Sequence, residues 1–119
     1  ASPEEAMENI KAMAELAKKD GIETILLTPI LCDPKQASLQ WMEGTPRDYE
    51  EVNRKLEVLS TLMKDLGASW GCTVVDLGLK YKGFGEYQDG LHPTVEGQAW
   101  IAGCIIEEIL GEKNHASRE

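Results

Sequence analysis

The sequence predicts an α/β protein, a three-layer fold on a parallel sheet, of which an α-β-α-β-α portion is present. Three observations predict it. Two short apolar runs, at residues 23–28 and 72–77, are bounded by Gly and Pro or by Gly alone. Three longer stretches repeat apolar residues at helical spacing and start at cap or proline signals. The two kinds of segment alternate, and strands separated by helices run parallel with right-handed crossovers.

The first helix opens at Ser2-Pro3-Glu4-Glu5, with Ser2 as N-cap, Pro3 at the first helical position and Glu5 closing a capping box. Met7, Ile10, Ala14 and Ala17 form its apolar stripe, and Gly21 ends it. Residues 23–28, between Gly21 and Pro29, predict a buried strand, and residues 29–44 a long loop. Thr45-Pro46 repeats the cap-then-proline signal. The stripe Val52, Leu56, Leu59, Met63 and Leu66 faces the core, and Gly67 stops this second helix. Residues 72–77 predict the second strand and residues 78–92 a second loop. Pro93 begins a third helix with Val95, Ala99, Ala102, Ile106 and Ile109 on its core side, and Gly111 ends it. The tail after Glu112 is polar and is expected to fray.

A length of 119 residues corresponds to one domain. Two strands are few for a parallel sheet, which needs cover on both faces. The chain is therefore expected to be about half of a doubly wound domain. Lys and Arg number 12 against 21 Asp and Glu, a net charge of -9 that repels phosphate backbones and argues against nucleic acid as a partner. No apolar run is long enough to span a membrane, and the acidic start does not read as a signal peptide. Cys32, Cys72 and Cys104 lack the spacing of a disulfide framework or a zinc site; buried free thiols are expected, which leans weakly towards a reducing, cytoplasmic compartment. Two distant histidines do not suggest a metal site, and no cofactor is expected.

Chemistry concentrates in Asp89-Gly90-Leu91-His92-Pro93, with Gly97 downstream. An Asp three residues before a His can fold its carboxylate onto one ring nitrogen, fix the tautomer and stabilise the imidazolium, leaving the other nitrogen as a general base. A plain turn before a helix is the competing reading of the same residues. Gly97 would let the third helix approach a neighbouring element closely. Both loops follow strands, on the sheet edge where α/β proteins build sites. Leu39, Trp41 and Met42 lie in the first loop, and Tyr81, Phe84 and Tyr87 in the second. Of these, Trp41, Met42 and Phe84 are the candidates for substrate contact, although packing beneath a long loop would also account for each.

The segment Asp89-Gly90-Leu91-His92-Pro93-Thr94-Val95-Glu96-Gly97 resembles the last block of the SGNH/GDSL serine hydrolases, which supplies a catalytic Asp and His three residues apart. Upstream, Glu8-Asn9-Ile10 through Gly21 with Ile25-Leu26-Leu27-Thr28-Pro29 resembles that family's penultimate helix–strand unit, and Val74-Val75-Asp76-Leu77 its last strand. The resemblance implies a three-layer, flavodoxin-like parallel sheet and hydrolysis of carboxylic esters, acetylated sugars or short acyl esters among them. It makes Asp89 and His92 two members of a Ser-His-Asp triad. The family's Gly-Asp-Ser block and its oxyanion-hole Gly and Asn are not visible, so an N-terminal segment or a partner chain is expected to carry the nucleophile.

Gly67-Ala68-Ser69-Trp70-Gly71 matches the G-x-S-x-G pattern, but a nucleophile elbow needs a strand before the serine and a helix after it, the reverse of this order. Ser38 and Thr28 lie on the correct edge without an elbow around them, and of the in-chain hydroxyls only Ser38 is kept as a substitute. Asp76, at the end of the second strand, reads as a structural or capping residue. A non-catalytic α/β module that completes its sheet with a partner chain is the competing function. A nucleotide-binding module is disfavoured because no glycine-rich phosphate loop follows either strand.

Overall fold

Every helix of the protein begins at a side chain able to accept a hydrogen bond from the first-turn amides. The computed structural model describes residues 2–41, 44–84 and 87–117. They form α1 (Pro3–Lys19), β1 (Ile25–Leu27), α2 (Pro34–Trp41), α3 (Pro46–Trp70), β2 (Thr73–Val75), α4 (Leu77–Phe84) and α5 (Val95–Ser117). Ser2 Oγ accepts from Glu5 N at 3.1 Å, and Thr45 and Asp48 form a reciprocal capping box. Asp33 Oδ1 accepts from Gln36 N at 3.2 Å, Asp76 Oδ1 from Leu79 N at 3.3 Å and Thr94 Oγ1 from Gly97 N at 3.1 Å. Asp33-Pro34 thus repeats the signal of Ser2-Pro3 and Thr45-Pro46. Residues 34–41, expected as loop, are α2, and much of the second expected loop is α4.

The expected three-layer parallel sheet is not formed. The chain is mostly helical, and its sheet is a parallel pair, β1 with β2, three residues each, with Leu26 opposite Val74. The expected strands shrink because the chain turns into or out of a helix at both ends of β2. Thr28 Oγ1 donates to Asp76 Oδ1 at 3.0 Å and accepts from Gly78 N at 3.0 Å, while Asp76 turns the chain directly into α4. At the other end, Cys72 N bonds back to Gly67 O at 3.0 Å. A ribbon of this size has no independent stability, so the helices must supply the core.

They do so in two clusters. Ala14 of α1, Leu26 of β1 and Met63 and Leu66 of α3 form the first, with Met7, Ile10, Leu59 and Val74 against it. Val75, Leu77 and Cys104 form the second, with Ile30, Trp100, Ile101 and Ile105. Pleating sends Leu26 and Val75 to opposite faces of the ribbon, which is why the clusters are separate.

Two helices differ from expectation. Gly67 does not stop α3, which runs on to Trp70 and ends at Gly71, φ +70°. Gly67 is instead a contact point, since a Cβ there would overlap the side chain of Val74. In α5 most of the stripe expected to face inward faces out: Val95 is 75% and Ile106 55% exposed, Ala99 and Ala102 are exposed as well, and only Ile109 is half-buried. Gly97, Trp100, Ile101, Cys104 and Ile105 face inward, and the helix passes through Gly111. Apolar residues surround α5 on most sides, so periodicity could not choose its face; contact with Val75 and Tyr81 does. No described helix is long and apolar enough to cross a membrane.

Candidate active site

Residues 87–93 form a closed turn. Tyr87 and Pro93 make an isolated antiparallel bridge, and Gln88 N donates to His92 O at 2.8 Å. Gly90 supplies the reversal with φ +90°. Within the turn, Asp89 Oδ1 accepts from Leu91 N at 2.9 Å and from His92 N at 2.7 Å, while Oδ2 lies 2.7 Å from His92 Nδ1. One carboxylate oxygen therefore shapes the backbone and the other orients the ring.

These bonds decide the protonation pattern. The His92 amide, aided by the imidazole and the Leu91 amide, holds the Asp89 carboxyl down to about 2, so it is an ionised acceptor at neutral pH. The proton of the pair then sits on Nδ1, and the neutral ring presents a lone pair at Nε2. The His92 side chain is 65% exposed against 19% for Asp89, and Nε2 has no hydrogen-bond partner among the described residues.

The segment leaving β1 holds the turn in place. The Tyr87 hydroxyl donates to Leu31 O, Asp33 N donates to Gly90 O at 2.8 Å, and Gln36 Nε2 donates to Tyr87 O at 3.1 Å. Burial pushes the Tyr87 phenol up to about 12, consistent with a neutral donor. Beneath it, Tyr81 is fully buried, meets Tyr87 edge-on at 5.2 Å and lies against Gly97, which leaves no room for a Cβ. Gly97 thus gives the close approach expected of it, and Tyr81 and Tyr87 are packing residues.

Among the candidate contact residues, Trp41 ends α2 with its ring centroid 6.2 Å from that of His92, tilted by 50°, and is 45% exposed. Met42 lies outside the described residues. Phe84 ends α4, and its side chain is outside the description. Leu39 is 73% exposed. A depression of about 280 Å³ lies between the Leu31–Pro34 segment, Asn53, Glu57 and Tyr87; a second, of about 170 Å³, borders Lys64 and Asp76. Neither is lined by Asp89 or His92.

Ser38, Ser60 and Ser69 are engaged elsewhere or badly placed. Ser38 Oγ donates to Gly44 O at 3.2 Å and Ser60 Oγ to Leu56 O at 2.9 Å. Ser69 sits in the last turn of α3, before β2, away from the edge where the strands end. Asp76 is the cap expected of it: burial raises its carboxyl, but Lys64, Thr28 and the Leu79 amide outweigh this and leave it lowered. Sequence reading missed Asn53, whose side chain binds both main-chain groups of Cys32, and Gln36, because such contacts leave no local pattern. Only Asp33 had a signal, its pairing with Pro34. No protein-family model and no curated protein matches the chain.

Proposed function

We propose that the chain carries the acid–base arm of a serine ester hydrolase of the kind its Asp89–His92 block resembles, the SGNH/GDSL hydrolases. The 2.7 Å contact between Asp89 Oδ2 and His92 Nδ1, within a turn that leaves the His92 side chain largely exposed, carries this reading. His92 Nε2 takes the proton of a serine hydroxyl as that oxygen attacks the ester carbonyl. The imidazolium then returns the proton to the leaving alcohol, and water repeats the cycle on the acyl-enzyme. Asp89 keeps the ring in its tautomer and offsets the imidazolium charge. With Ser2, Ser38 and Ser60 engaged and Ser69 distant, the nucleophile and oxyanion donors are assigned to another segment or a partner chain. No step calls for a cofactor.

The substrate class follows from the surroundings of His92. Trp41 offers a half-open indole beside the imidazole, a surface suited to the flat face of a sugar ring. This favours an acetylated carbohydrate over a long acyl chain. Treating the purified material with a fluorophosphonate and weighing every chain tests the proposal. A label on a serine of a co-purifying chain or segment, lost in His92→Ala, is the expected result. Labelling that survives His92→Ala would sink it.

A second reading, a non-catalytic module that completes its ribbon with a partner's strand, is favoured by the outer edge of β1. Ile25 and Leu27 there are 40% and 42% exposed, and Met13 and Leu16 are exposed nearby in sequence. Absence of any labelled serine, together with a mass by light scattering above that of one chain, would favour it.

A further inference from the structure

We propose that Asn53, on α3, is a positioning residue for the Asp89–His92 pair and acts on it through the main chain of Cys32. The inference rests on the reading of that pair as a base arm. Asn53 treats Cys32 as one strand treats another. Cys32 N donates to Asn53 Oδ1 at 2.8 Å, and Asn53 Nδ2 donates to Cys32 O at 2.9 Å. A primary amide can do both; a carboxylate only accepts, and an aliphatic chain does neither.

The peptide units on either side of Cys32 carry this grip to the turn. Cys32 N–H belongs to the same planar unit as Leu31 C=O, and Leu31 O accepts the Tyr87 hydroxyl. Cys32 C=O belongs to the same unit as Asp33 N–H, which donates to Gly90 O at 2.8 Å. In a trans peptide the carbonyl and amide point in opposite directions across a rigid plane. Each plane is therefore held by Asn53 on one side and by the catalytic turn on the other. Tilting either plane away from Asn53 moves the groups that hold Tyr87 and Gly90, which flank Asp89. A helix 21 residues beyond Cys32 thus sets where the carboxylate meets the imidazole.

The test reads the tautomer of His92 from its ring nitrogen shifts by long-range ¹H–¹⁵N NMR on the 119-residue chain. His92→Gln assigns the signal against His115, and Asp89→Asn gives the spectrum of a broken pair. The native chain is expected to show the Nδ1–H tautomer as the majority form of the neutral ring. Asn53→Ala should move the shifts towards those of Asp89→Asn while the circular dichroism stays helical. Asn53→Asp, equal in size but unable to donate to Cys32 O, should do the same if the alanine variant fails to fold. Tyr87→Phe, which cuts the far end of the relay, should shift them in the same direction. A folded Asn53 variant with native nitrogen shifts overturns the inference. Should both Asn53 variants unfold, native-state hydrogen exchange decides: the Asp33 and His92 amides must open with one free energy, and unequal protection overturns it. An unchanged tautomer with intact fluorophosphonate labelling removes Asn53 alone. A shifted tautomer without labelling removes the esterase reading alone.

Discussion

Gly90 lies directly on Ala37, so close that a Cβ at Gly90 would overlap the main chain of α2, and Ala37 is itself fully buried there. The contact joins the candidate catalytic turn to the first helix after β1, and Gly90 also needs its positive φ of +90°. Gly90→Ala should therefore cost stability by roughly 1–3 kcal/mol, from strain and overlap together. Urea denaturation measures the loss, and a midpoint equal to the native one would show that the turn is not pinned to α2.

Under the proposed esterase function, His92→Ala and Asp89→Asn should each lower kcat by roughly 10³–10⁴-fold, because the first removes the base and the second releases its tautomer. Ester turnover with a chromogenic acetate measures both. An Asp89→Asn variant within about tenfold of native activity would leave Asp89 as a turn residue only.

The depressed carboxyl of Asp89 sets an acid limit. A group whose pKa is lowered on folding adds stability above its unfolded value and loses it as pH falls through the folded value. The turn should therefore stay intact down to the usual Asp range, near ~4, and open as pH falls towards about 2. The Asp89 carboxyl carbon and the His92 amide, followed by NMR, should titrate together in that window. A carboxyl midpoint in the ordinary range would contradict the hydrogen bonds assigned to it.

Tyr87 sets the alkaline limit with the opposite sign. Burial raises its phenol to about 12, so its contribution is complete below the ordinary tyrosine range and is lost as pH rises through that range towards about 12. Phenolate absorbance should show a late-titrating component, and Tyr87→Phe should diminish it. If all three tyrosines ionise together, the Tyr87 hydroxyl is not held on Leu31.

Two glycine substitutions should act in opposite directions. Gly67→Ala gains helix propensity but forces a Cβ into Val74, and the clash should win, lowering Tm. Gly103→Ala, in α5 with nothing within 4 Å of the added atom, should raise stability by roughly 0.5–1 kcal/mol. Thermal unfolding of the two variants checks both signs.

The legible parts of this protein were those whose causes lie within a few residues. Ser2-Pro3 and Thr45-Pro46 announced α1 and α3 because capping joins a side chain to amides two or three positions on. Asp33-Pro34 carries the same signal, but the helix that it starts, eight residues long, is too short to show an apolar period. Asp89 and His92 could be paired on paper because a three-residue spacing closes a turn by itself.

Sequence alone therefore determined the Ser2 and Thr45 caps, the two apolar runs of the ribbon and the pairing of Asp89 with His92, all set by short-range hydrogen bonding and hydrophobic runs. Tertiary structure decided the size of the sheet, the inward face of α5, the contact of Gly67 with Val74 and the grip of Asn53 on Cys32. Each of these depends on which surfaces meet across long stretches of chain. When a helix such as α5 is apolar on most sides, or a single asparagine serves a loop 21 residues away, the deciding energy lies in the contact and leaves no period or motif in the sequence.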